Sequence, residues 1–155
     1  MTDLVGFQGS HGLINARDSN SGMNLLRHTL AGINERDFFS KLTFTGSHRE
    51  SIRRLKDYDG DLASIDSVTY DYLARDNSDE IEGLRILVRS VRSPCLPYIT
   101  SIRRTATDAD SIRKLPEVSR ALAIKEVLPA SEADYECLLE YERSATHRGF
   151  SFVSS

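Results

Sequence analysis

No apolar run in this 155-residue sequence approaches the roughly 20 residues a membrane-spanning helix requires, so insertion into a bilayer is not expected. Positive charge is not in excess either. Twenty Lys and Arg stand against 23 Asp and Glu, a net charge of -3, which offers no surface for nucleic acid or an anionic membrane. Cysteine occurs twice, at Cys95 and Cys137, without metal or redox spacing; the pair neither requires an oxidising compartment nor excludes one. The opening residues Met1-Thr2-Asp3-Leu4 lack the basic and apolar regions of a signal peptide, so the sequence as it stands predicts a cytoplasmic location. Repeats and low-complexity tracts are missing as well. What remains is a globular composition, 39% hydrophobic and 28% charged, sufficient for one domain or two small lobes. Arginines gather at Arg53-Arg54, Arg89, Arg92 and Arg103-Arg104, each near acidic residues, and read as solvated surface.

Periodicity predicts alternating strands and helices. Residues 13–16 read as a strand, with another candidate before it at 4–7. Met23, Leu25, Leu26, Leu30 and Ile33 fall on one helical face that Gly32 would close. The alternating, β-branched and aromatic run 41–45 is a second strand, and Ser47 with Glu50 forms a capping box for a helix over 49–56. A third strand at 62–66 delivers Asp66 at its end and a helix follows over 68–75. Further strands are expected at 84–89 and 98–101, and two amphipathic helices at 111–127 and 131–147, with Pro116 starting or kinking the first. Such alternation means parallel βαβ units, hence an α/β fold with helices on both faces of the sheet.

In a parallel sheet, ligands bind beyond the carboxyl ends of the strands. Three polar turns fall on that edge: Asp18-Ser19-Asn20-Ser21, Thr45-Gly46-Ser47-His48 and Asp66-Ser67. The first opens a helix, whose unpaired N–H groups and partial positive charge favour an oxyanion, and Ser19 and Ser21 add hydroxyl donors. Gly22 lets the backbone approach a ligand without a Cβ. Serine N-caps are common, and Asp66 also suits the cap of the helix after it, so convergence of the three turns carries the argument. The candidate ligand-binding residues are Ser19, Ser21, Gly22, Asn24, Ser47, His48 and Asp66. Ser21, His48 and Asp66 also supply the residue types of a hydrolase triad, but Ser21 lacks the Gly-x-Ser-x-Gly elbow of such a nucleophile. His11, His28 and His147 have no carboxylate spacing that would hold a metal. No catalytic residue and no cofactor is expected.

The order of these motifs resembles a known family. A strand, Ser-x-Ser-Gly-x-Asn (19–24), a helix, Phe38-Phe39, and a strand ending in Thr-Gly-Ser-His (45–48) come first. A strand ending in Ile-Asp, then Leu-Arg-Ile-Leu (84–87) and Leu-Pro-Tyr-Ile-Thr-Ser (96–101), complete the pattern. It is similar to the phosphate/phosphonate substrate-binding proteins of ABC transporters, which have the type II periplasmic-binding-protein fold. The resemblance runs from Leu4 to about Gly149. It implies a small-oxyanion ligand on Ser19, Ser21, Gly22, Ser47 and His48, an amino group at Asp66, an ABC permease as partner, and a periplasmic location.

The resemblance also implies a first lobe of about a hundred residues, the scale of a small domain, ahead of the point where this sequence begins. Residues 1–92 then correspond to the second lobe, and 93–155 to the crossover strand and C-terminal helices that complete the first. A homodimer or companion chain would cover the apolar face such helices leave open. Two other readings fit the fold: an intracellular ligand-sensing effector domain, and an enzyme related to thiamine-pyrimidine synthases. The residues supply no DNA-binding segment for the former and no metal or cofactor ligands for the latter.

Overall fold

The computed structural model describes residues 3–33, 37–99 and 116–148. The chain forms two units, one of residues 1–93 with 137–155 and one of residues 94–136. The first carries a three-stranded parallel sheet in the order β2-β1-β3, with β1 at His11–Ile14, β2 at Lys41–Phe44 and β3 at Leu62–Ala63. Helix α1 (Leu25–Ala31) joins β1 to β2, α2 (His48–Lys56) joins β2 to β3, and α3 (Ser67–Asp76) follows. Helix α4 (Pro116–Ala121) belongs to the second unit, and α5 (Glu136–His147) brings the chain back to the first.

This strand order dictates where the helices sit. The step from β1 to β2 and the return past β1 to β3 run in opposite directions, so two right-handed crossovers place α1 and α2 on opposite faces. Gly12, Leu13 and Ile14 of β1 are all buried, and the strand period of two sends the Leu13 and Ile14 side chains to opposite faces of the sheet. Ile14 joins Leu26 and Leu30 of α1, Leu4, Phe38, Phe39, Leu62 and Ala145 of α5 in one cluster. Leu13, on the other face, and Ile52 of α2 are buried apart from that cluster. Full burial of a Phe, Leu or Ile contributes about 1.5–3 kcal/mol. The two sheet faces therefore outweigh the surface ion pairs that Glu50 makes with Arg53 and Arg54 along α2. Helix α5 is fastened to α1 through polar groups too: Arg148 donates to the Ala31 carbonyl at 3.2 Å, and His28 packs its ring against Tyr141.

Several predicted elements take another form. Residues 4–7 lie in a 3-10 helix, Asp3–Phe7, that directs Leu4 into the core. Only Leu62 and Ala63 of the predicted third strand enter the ladder, and Ser64, Ile65 and Asp66 run on to the cap of α3. Residues 84–89 form no strand. Leu84 and Leu87 are half-buried while Arg85, Ile86, Val88 and Arg89 are exposed, a burial period of three rather than two, and β3 offers only a two-residue edge. Leu87 nevertheless packs against the core. Tyr98 and Ile99 are exposed and outside any strand, while Thr100 and Ser101 lie outside the described residues.

Residues 111–115 of the predicted helix 111–127 also lie outside the described residues. Of its remainder only 116–121 is helical, as α4, with Pro116 at the first position, where a missing N–H costs nothing. The chain leaves the helix at 122–127, Ala123 turning through a left-handed φ of 51°. The predicted helix 131–147 divides into a 3-10 turn, Glu132–Tyr135, and α5; Asp134 accepts from the Ser131 N–H at 2.7 Å and caps the turn. Within the second unit the Tyr135 hydroxyl donates to the Cys95 carbonyl at 3.1 Å.

Candidate functional site

The site is built at the C-terminal ends of the three strands. After β1 the chain reaches Ser19, an extended residue whose hydroxyl accepts the Gly22 N–H at 3.0 Å. The Ser19 carbonyl accepts from both Met23 and Asn24, at 3.0 and 3.1 Å, which widens the first turn into a π turn, Asn20–Asn24, continuous with α1. Gly22 fits closely there. It is buried against Asn15, and a Cβ would overlap the Asn15 side-chain oxygen, so a larger residue requires the Asn15 amide to move. That oxygen has no hydrogen-bond partner, and nor does the buried Oδ1 of Asn24.

The second turn extends the pairing of β1 with β2. Thr45 and Gly46 donate to the Ile14 and Asn15 carbonyls at 2.8 and 2.9 Å. Gly46 then turns through a left-handed φ of 92°, which glycine adopts freely. Ser47, extended, caps α2 by accepting the Glu50 N–H at 3.0 Å. The first residue of α2 is thereby His48, and its Nε2 shares a hydrogen bond of 3.0 Å with the Ser21 hydroxyl. The third turn closes the group: the Ser64 hydroxyl donates to the Ser21 carbonyl at 2.7 Å, and Asp66 caps α3, its Oδ2 accepting from the Thr69 N–H at 2.8 Å.

His48 is half-buried, and burial lowers its pKa below the ordinary histidine value; the Asp66 charge and the Ser64 backbone pull the other way without cancelling the effect. The imidazole therefore stands neutral at pH 7 beside a hydroxyl. Its Nδ1 is buried without a hydrogen-bond partner. This geometry lacks the third member of a hydrolase triad, because no carboxylate accepts from Nδ1 to fix the tautomer, and the Asp66 oxygen that is engaged serves α3.

Of the residues expected from the sequence, Ser21 and His48 meet directly and Asp66 acts on His48 through its charge. Ser19 and Gly22 shape the turn that presents Ser21. Ser47 is exposed at its cap. Asn24 holds the turn in place, its amide donating to Asn20 Oδ1 and to the Leu138 carbonyl of α5, both at 3.1 Å. Sequence reasoning passed over Ser64, although its place two residues before Asp66 puts a hydroxyl on the same edge. It also passed over Asn15 and Asn20, which support the turn from either side. Ser21, Ser64 and Asp66 line a cleft of about 930 Å³ that the segment 83–93 also lines.

Hydroxyls, an imidazole and helix-start N–H groups are donors that can hold a small anion, and the one carboxylate beside them is an acceptor. A family model described as ABC transporter, phosphonate, periplasmic substrate-binding protein matches residues 2–135 of the chain. The chain belongs to that family. No curated protein sequence matches it. Among the described residues no helix is long and apolar enough to cross a membrane.

Proposed function

We propose that this chain, as a member of the phosphonate substrate-binding family, holds the phosphonate or phosphate group of a small solute at the Ser21 turn for delivery to an ABC permease. The observation that carries the reading is the 3.0 Å contact between Ser21 Oγ and His48 Nε2. Two groups that can each donate to an anion satisfy one another until a ligand oxygen comes between them. The N–H groups of the turn's first residues have no carbonyl one turn earlier to bond, and they carry the positive end of the helix dipole. Ser19 and Gly22 set the curvature of the turn, Asn24 anchors it, Ser47 presents His48, and the second oxygen of Asp66 can meet an amino group on the solute. Neutral donors suit a transported ligand, since a hydrogen-bonded oxyanion is released more readily than one trapped by buried charge.

The experiment is a thermal-shift titration of wild type and Ser21→Ala with phosphate, methylphosphonate and 2-aminoethylphosphonate. A ligand that binds only the native state raises the melting temperature with its concentration. Wild type is expected to show that rise, and Ser21→Ala to bind more weakly by about 1–2 kcal/mol with its fold intact. Equal shifts in both proteins would remove Ser21 from the site.

A further inference from the structure

One stretch of the cleft lining has a chemistry that the phosphonate site does not use. It is residues 83–93, and the segment is fixed at three points. Leu87 packs into the core, the Arg92 carbonyl accepts from the Tyr141 hydroxyl at 3.1 Å, and the Ser93 hydroxyl accepts from Asn20 Nδ2 at 3.3 Å. Asn20 is the residue before Ser21, so the last of these ties the backbone beside Arg92 directly to the candidate oxyanion turn. Arg89 and Arg92 line the same cleft as Ser21 and Ser64. Neither is in an ion pair among the described residues.

Two carboxylates also line the cleft, and both have other work. Asp61 precedes β3, at the opposite end of that strand from Ser64, and accepts the His11 N–H at 2.8 Å. Asp66 caps α3. The cleft volume, about 930 Å³, lies in the range that encloses ligands far larger than inorganic phosphate.

We propose that Arg92, with Arg89, recognises a carboxylate on the solute whose phosphonate sits at the Ser21 turn, so that phosphonocarboxylates are the preferred substrate class. This rests on the phosphonate reading above. A guanidinium presents two parallel N–H donors that match a carboxylate, and it stays charged at every relevant pH. The arrangement separates the two anionic ends of a ligand: neutral donors for the phosphonate, fixed positive charge for the carboxylate.

The test is calorimetric titration of the full chain with methylphosphonate, phosphonoacetate and 3-phosphonopropionate, repeated on Arg92→Gln and on Arg89→Gln/Arg92→Gln. Both arginines are exposed, and matching thermal melts would confirm that the variants fold. Wild type is expected to bind at least one phosphonocarboxylate about tenfold more tightly than methylphosphonate. Arg92→Gln should erase most of that preference, and the double variant all of it, with methylphosphonate affinity unchanged throughout. Methylphosphonate binding as tightly as both phosphonocarboxylates would overturn the proposal and leave the phosphonate site standing, as would a preference that survives the double variant. Wild type binding none of the three would overturn the phosphonate reading and this proposal with it.

Discussion

At the scale of single residues, His48 is where burial and charge compete most directly. Removal from water opposes the imidazolium, and the Asp66 charge offsets only part of that. The folded pKa thus lies below the ordinary value of 6.5 that the unfolded chain keeps. As pH falls below about 6.5 the unfolded chain takes up this proton first, so folding stability drops, and the loss is complete once the folded imidazole is also protonated. Above that window His48 contributes nothing to the slope. Melting wild type and His48→Gln between pH 7.5 and 4.5 should therefore give a shallower acid decline for the variant, since His11, His28 and His147 remain in both. Parallel curves would mean that the environment of His48 does not disfavour its charge. The residue types at the site were legible in the sequence, because hydroxyls, a glycine and a histidine fell on three turns. The dependence of Gly22 on Asn15 was not, since it arises from a contact that only the folded turn creates.

At the scale of elements, Asp66 separates a structural role from a binding one. Its Oδ2 caps α3, and Asp66→Ala should cost about 1 kcal/mol of stability through loss of that cap. Asp66→Asn retains a capping oxygen and should melt within a few tenths of a kcal/mol of wild type. If the carboxylate meets the amino group of the solute, the Asn variant alone should lose affinity for 2-aminoethylphosphonate and keep it for methylphosphonate. Calorimetry on the two variants checks this, and an Asn variant that binds both ligands as wild type does would confine Asp66 to its cap. Elements whose pairing is decided locally were readable: β2, the Ser47 cap and α2 follow from alternation and capping chemistry. Strand β1, expected at 13–16, lies two residues earlier at His11–Ile14, where its pairing with β2 and β3 sets its bounds. Residues 84–89 carry a strand's composition, yet whether they pair depends on the partner edge, and β3 supplies only Leu62 and Ala63. Propensity cannot report on a neighbour that lies some twenty residues away in the chain.

At the scale of the whole molecule, one property of parallel sheets organises the account: the carboxyl ends of all strands lie on one edge. Ser21, His48 and Asp66 stand 27 and 18 residues apart in sequence and are gathered there by two crossovers. That gathering could be foreseen from the βαβ pattern alone. The hydrogen bond from Asn20 to Ser93 spans 73 residues and joins the turn to the segment 83–93 that also lines the cleft; no periodicity announces it. We propose that a phosphonate settles among these turns. The most direct measurement is a proton–nitrogen NMR titration of the assigned wild-type chain with methylphosphonate. Saturable shifts are expected at the amides of residues 19–22 and 47–48, with the amides of α4 unmoved. Absence of shifts at millimolar ligand, or shifts confined to other parts of the chain, would contradict the account.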